Sequence, residues 1–392
     1  MNRRRPGPRA TVTAPRAAGA TALLVAVLLA LAAVGPAPGL DGSNATGDAL
    51  DGSNTTGNSA TDTGPEFVVT DVTTGPADSG GTTDGGPVTV TVAYATPANG
   101  TREFTADHVY PGSVDARAGW AYLPRSALPA ALERGAGDPA TGVVTVGPWA
   151  LVGDLTAASA PVRNSRVTVV APAGMDVDPA RKAGFLAEFV SPYELHPSPP
   201  EEVTFVVAPD TLPSAGRTYG ETGYITQRGF WDGDASSVWI HEYVHTRQGF
   251  DLTSEMRWFR EASATYLSAR LLEEQYEGVT ERDVRTRLEA TPDHPGTALA
   301  NRSAWDDTSA DYERGARLLY AVDAAIRMET DGNRTLVDVV RAMNRRDDPL
   351  TVDEFVRIVE RYAGDLEWLR PSITEPGSLD DRVAWAGDVF DP

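Results

Sequence analysis

His241 and His245 stand four residues apart, with Glu242 directly after the first, in the run Trp239-Ile240-His241-Glu242-Tyr243-Val244-His245. Residues at i and i+4 share one face of an α-helix, so a helix here aims both imidazoles at one metal ion. The chain has only five histidines, and this pair uses two of them. Zinc accepts neutral imidazole nitrogens and, in catalytic sites, keeps a position open for water. Glu242 projects beside such an ion, placed to take a proton from that water. Two histidines do not complete a site, so the rest of the chain must supply a third ligand.

Composition narrows what surrounds the motif. The 392 residues are enough for two domains. There are no cysteines, which excludes disulfide scaffolds, thiolate metal sites and cysteine nucleophiles. Acidic residues number 55 against 34 basic ones, a net charge of -21, and Lys182 is the only lysine. That field opposes nucleic-acid binding. It fits a protein that stays hydrated in high salt, and a halophilic archaeal source is the expectation.

Residues 1–40 read as an export or anchoring segment. Arg3, Arg4 and Arg5 precede an almost wholly apolar run from about Ala17 to Val34, which Gly35, Pro36 and Pro38 end. The run lies between the length of a signal-peptide core and the roughly 17 to 25 residues of a spanning helix. Cleaved signal peptide and retained membrane anchor both stay open. Either way the basic flank stays inside and the remainder faces outward, at the cell surface or beyond it. Residues 41–65 are a polar low-complexity linker with the near-repeats Asp41-Gly42-Ser43-Asn44 and Asp51-Gly52-Ser53-Asn54. Asn44, Asn54, Asn99, Asn301 and Asn333 each begin a glycosylation sequon.

Residues 66–160 read as a small β-rich, sandwich-like domain, from runs such as Val88-Thr89-Val90-Thr91-Val92. It contains Asp107, His108 and Tyr110, with His108 read as a surface or satisfied residue. Residues 161–392 read as a mixed α and β domain. Strands are expected at 166–171, 202–208 and 218–226, and a helix from Pro179 to about Tyr193. His196, between prolines, reads as structural or exposed. The motif helix is expected to be capped by Asp234 or Ser236 and to end near Gly249. Helices follow at about 254–275, 280–290, 309–330, 335–346 and 351–363, the last with Phe355, Ile358 and Val359 at half-buried spacing.

Two residues compete for third ligand. Asp251 lies six residues after His245, where metzincins place theirs, but the glycine those turns need falls at Gly249, one residue late, with Gln248 in its place. Glu261 is the better candidate. It lies in Trp258-Phe259-Arg260-Glu261-Ala262-Ser263-Ala264-Thr265-Tyr266, on a separate helix whose small Ala262 and Ala264 permit close approach to the first.

The histidine pair followed by this helix resembles the gluzincin peptidases, and within them the aminopeptidase N-like and glycyl aminopeptidase families. Two later stretches extend the resemblance. Tyr312-Glu313-Arg314-Gly315-Ala316 is similar to the segment that carries those families' catalytic tyrosine. The runs from Val322 to Arg327 and from Thr330 to Arg341 are most similar to glycyl aminopeptidases. The likeness covers about residues 200–365. It implies an α+β, thermolysin-like catalytic domain with a mostly helical C-terminal part, hydrolysing peptide substrates by metal-activated water. Position by position, it implies His241, His245 and Glu261 as zinc ligands, Glu242 as general base and Tyr312 as hydrogen-bond donor to the oxyanion.

The chain departs from these families at the substrate side. The Gly-x-Met-Glu-Asn element that holds a free amine in aminopeptidase N-like enzymes has no clean copy, and Glu221 in Gly220-Glu221-Thr222-Gly223 is the substrate-binding candidate in its place. Endopeptidase cutting stays open. Neither a large helical C-terminal domain nor a PDZ-like module is expected after the catalytic part. The competing expectation is a catalytically inactive surface binding or adhesion module that keeps the fold.

Overall fold

The computed structural model describes residues 67–76, 88–96, 100–109, 111–229, 233–305 and 308–391. The expected export segment, the linker, the sequons at Asn44, Asn54 and Asn99, and Tyr110 lie outside the described residues. Among the described residues no helix is long and apolar enough to cross a membrane.

The first part is built from β-branched runs that alternate inward and outward. Strands β1 (Val68–Pro76), β2 (Val88–Thr96) and β3 (Gly100–Val109) form an antiparallel meander. Val90, Val92 and Tyr94 of β2 are buried in alternation, as a strand with one wet face requires. A second sheet, in the order β4-β5-β7-β6, comprises β4 (Val114–Asp115), β5 (Trp120–Pro124), β6 (Val143–Val146) and β7 (Trp149–Gly153). The sheets share a core in which Val72, Val90 and Val92 meet Ala121, Leu123, Val143 and Val152. Leu132 of the short helix α1 (Ala130–Arg134) closes it. Asp107 accepts a hydrogen bond from Thr89 on the exposed face of β3.

A five-stranded sheet follows, ordered β11-β12-β10-β9-β8. Its strands are β8 (Leu155–Val162), β9 (Ser165–Pro172), β10 (Glu202–Ala208), β11 (Gly216–Tyr219) and β12 (Thr222–Thr226). The inner three run parallel and the two edges antiparallel. Val167, Val169, Val170, Val203, Val206 and Val207 are fully buried, the near-continuous apolar runs of strands covered on both faces. The boundary expected at 160/161 falls inside β8, which is hydrogen-bonded to β9 along its whole length. One face of the sheet packs on the second sheet of the first part, where Val170, Val206 and Tyr224 meet Trp120, Tyr122 and Leu151.

The single strand expected at 218–226 is instead a hairpin. Gly220 takes φ +65°, and with Glu221 it forms a two-residue turn between β11 and β12. The edge strand β11 therefore runs back along the sheet beside the motif helix.

The other face carries helices: α2 (Pro179–Val190), α3 (Val238–His245), α4 (Trp258–Gln275), α5 (Glu281–Ala290), α6 (Glu313–Glu329), α7 (Leu336–Met343), α8 (Val352–Ala363), α9 (Leu369–Thr374) and α10 (Asp380–Phe390). Pro179 opens α2, with Asp178 as its cap. Thr280, Thr335 and Thr351 close reciprocal capping boxes on α5, α7 and α8. The motif helix is capped by Ser237, one residue past the expected cap, and ends at His245 rather than near Gly249. Tight turns at Thr246, Arg247 and Gln248 replace its expected last turn.

Candidate metal centre

Helix α3 is oriented by its apolar face. Trp239, Ile240 and Val244 are fully buried, which leaves His241 and His245 on the side turned to α4. Helix α4 is held the same way by Trp258, Phe259, Ala262 and Tyr266, all fully buried. Glu261 and Thr265, at i and i+4, share the side that faces the histidines. Glu261 Oε2 lies 3.2 Å from His241 Nε2 and 3.1 Å from His245 Nε2, and the two nitrogens are 3.0 Å apart. The rings stand 82° to each other. Among the described residues this is the one trio of His, Asp or Glu groups able to share an ion.

The donor set fits zinc. A tetrahedral ion bonded at about 2.0–2.1 Å sets its ligands roughly 3.3 Å apart, close to the spacing here. Two nitrogens and a carboxylate oxygen this near one another call for a positive charge between them. The electrostatics agree. Burial opposes a charge on His245, yet its Glu261 hydrogen bond and the nearby carboxylates push it up to about 9. Burial would raise the Glu261 carboxyl, but the two imidazoles hold it well below the usual range.

Glu242 is nearly sealed, at 6% exposed. Burial raises its pKa, while the imidazoles and a hydrogen bond from Thr218 pull the other way. The Thr218 hydroxyl donates to Glu242 Oε2 at 2.8 Å and lies 3.0 Å from its backbone carbonyl. This contact exists because β11 comes very close to α3. A Cβ on Gly216 would lie 2.6 Å from Val238 Cγ1 and 2.8 Å from Glu242 Cγ, so only glycine fits there.

Tyr312 stands at the entry to α6. Its ring stacks on the His241 ring at 5.9 Å and 10°. Burial raises its pKa, and so do the neighbouring carboxylates, Glu261 first among them. It therefore stays protonated and can donate. Arg314 and Arg317, both almost fully buried, fasten α6 to the C-terminal segment through the Gly377 carbonyl and Asp380.

His241, Glu242, His245, Glu261 and Tyr312 are thus brought together. Asp251 is not part of the trio; it is exposed, in a loop where its carbonyl accepts from Leu350 N–H. Glu221 is on the exposed hairpin turn, its carbonyl taken by Thr204 N–H. His196 is braced locally, its Nδ1 accepting from Ser198 N–H. Three contacts to the centre were missed in the sequence: Thr218 on Glu242, Gln248 at 2.9 Å from His245 Nδ1, and Thr265 at 3.5 Å from His241 Nδ1. Gln248 alone carried a signal, its i+3 spacing from His245.

No family model matches the chain, and no curated protein matches it. Solved structures do. An aminopeptidase N family protein from Idiomarina loihiensis is 14% identical, with 82% of this chain and 55% of that chain covered and a TM-score of 0.50. Legionella pneumophila aminopeptidase A, in complex with aspartic acid, is 14% identical over 80% of this chain and 45% of that one, at 0.44. A variant M1 zinc metallopeptidase from Deinococcus radiodurans, bound to a Tyr-Ser-Ala substrate, is 15% identical over 79% and 95%, at 0.42. The first likeness shows a shared α+β fold, and the chain spans about half the length of that protein.

Proposed function

We propose that this chain is a zinc-dependent peptidase. The observation that carries the reading is the meeting of His241, His245 and Glu261 within 3.2 Å, with Glu242 and Tyr312 on the rim. The fold shared with an aminopeptidase N family protein supports it. His241, His245 and Glu261 would hold the ion. Zinc, when bound, supplies a Lewis acid that acidifies water and polarises a carbonyl.

Glu242 takes the proton of the attacking water and passes it to the leaving amine. Its burial favours this, because a carboxylate with a raised pKa is a better base near neutrality. Thr218 holds one oxygen of that carboxylate in place. Tyr312, kept protonated, donates to the oxyanion as the carbonyl becomes tetrahedral. The outer edge of β11, an edge strand of its sheet among the described residues, offers backbone hydrogen bonds to an extended peptide. For cutting at a free N-terminus, Glu221 on the β11–β12 turn is the proposed amine contact.

The basic start and the apolar run of the N-terminus support export, with the site facing outward. Mass spectrometry of a peptide mixture incubated with zinc-loaded protein tests the activity. Cleavage is expected, and the cut positions separate terminal from internal hydrolysis. Zinc bound with no peptide cut contradicts the reading and favours a binding module.

A further inference from the structure

Gln248 reaches from the turn after α3 across to α4, and it is 6% exposed. Its Nε2 donates to the Arg260 carbonyl at 2.8 Å and to Ser263 Oγ at 2.9 Å. Its Oε1 lies 2.9 Å from His245 Nδ1. A backbone carbonyl only accepts hydrogen bonds. The Arg260 carbonyl therefore admits the amide NH2 and rejects the amide oxygen, which fixes the amide's orientation. Both Nε2 hydrogens are used on α4, so His245 meets only Oε1, which also only accepts. His245 Nδ1 must then carry a hydrogen. An imidazole that binds the ion is neutral and holds one hydrogen, so with that hydrogen on Nδ1 the lone pair is on Nε2, the nitrogen beside His241 Nε2 and Glu261 Oε2. His241 has no such device. Its Nδ1 neighbour is the Thr265 hydroxyl at 3.5 Å, a group that can donate or accept.

We infer that Gln248 is a positioning residue with two tasks at this centre. It sets the ion-binding tautomer of His245. It also locks the register between the histidine helix and the Glu261 helix, since Arg260 and Ser263 flank Glu261. The inference rests on the metal-holding half of the proposed function and not on hydrolysis. It separates this centre from the common arrangement in which a carboxylate backs a metal-bound histidine. A carboxylate at this position would still accept from His245, but it would face the Arg260 carbonyl with no hydrogen between them. Gln248→Glu is therefore a loss here, although the imidazole gains a charged partner.

The test is zinc affinity by chelator competition for wild type, Gln248→Met and Gln248→Glu, beside the melting temperature of each metal-free protein. Nitrogen-15 NMR of zinc-loaded wild type, which needs no variant, reports which imidazole nitrogen of His245 carries hydrogen. Both variants are expected to lose about 10- to 100-fold in affinity. The methionine variant should also melt lower without metal, because it loses both hydrogen bonds to α4, and the NMR readout separates the tautomer from that loss. A His245 Nδ1–H resonance is expected in the wild type. Equal affinity in wild type and Gln248→Met, or zinc held through His245 Nδ1, overturns the tautomer assignment. Unweakened binding by Gln248→Glu overturns the register assignment. A wild type that binds no zinc overturns the proposed function, and this inference with it.

Discussion

A Cβ on Gly315 would sit 2.5 Å from the Ala262 Cβ, closer than two carbons can stand. Gly315 is three residues past Tyr312 on α6, and Ala262 is next to Glu261 on α4. The missing side chain brings the tyrosine and the glutamate together. Gly315→Ala sets two effects against each other. Helix propensity favours alanine by about 1 kcal/mol. Overpacking costs about 1–3 kcal/mol. Overpacking wins, because the clash is with a Cβ fixed to its own backbone. The variant should melt lower and lose more turnover than stability, as Tyr312 moves off the centre. Wild-type melting temperature and kcat in this variant would contradict the packing account.

Thr218 and Glu242 give a pH prediction. Glu242 must be ionised to accept a proton, so the rate rises as pH climbs through its pKa. The Thr218 hydrogen bond favours the ionised form and lowers that pKa against the pull of burial. Thr218→Val removes the donor, so the acidic limb of kcat/KM should move to higher pH. Loss of a hydrogen bond to a charged group also predicts a kcat about tenfold lower. Thr218→Ser should hold the limb in place. An unmoved limb in the valine variant contradicts the role.

Glu261 and Asp251 separate cleanly. Zinc content after dialysis should fall in Glu261→Ala and stay at the wild-type level in Asp251→Ala, whose side chain is exposed away from the trio. The reverse pattern would return the ligand role to Asp251.

Asp323 is 1% exposed and accepts from Tyr266 Oη at 2.7 Å, Leu336 N–H at 2.6 Å and Arg327 Nε at 3.0 Å. It fastens the first residue of α7 to α6 and α4. Asp323→Ala should cost about 1–3 kcal/mol for each of the two buried donors it leaves unsatisfied, Tyr266 Oη and Leu336 N–H, while Arg327 keeps Glu274 at 3.1 Å. Thermal denaturation checks it, and a change under about 1 kcal/mol would show that the network carries no such weight.

The parts of this centre legible in the sequence were the local ones. His241 and His245 share a helix face by covalent geometry alone, and Glu261 stood out within a dense aromatic and small-residue pattern. Thr218 was hidden because its contact with Glu242 depends on how near one strand comes to a helix, which Gly216 decides across 26 residues of chain. Gln248 entered the sequence reading as a residue that spoiled a turn pattern; its i+3 spacing from His245 was a signal, but its partners at 260 and 263 belong to another helix. The β11–β12 hairpin was read as one strand because its turn is only Gly220 and Glu221, set among strand-forming residues. The glycine itself at 220, which takes φ +65° in the turn, was the signal available there.

The central claim is that Glu242 performs the proton transfer at a zinc centre built from His241, His245 and Glu261. Its most direct test is peptide hydrolysis by zinc-loaded Glu242→Gln, with zinc content measured on the same sample. Zinc at the wild-type level with hydrolysis down about 100- to 10,000-fold is the predicted result. Hydrolysis at the wild-type rate would contradict the claim.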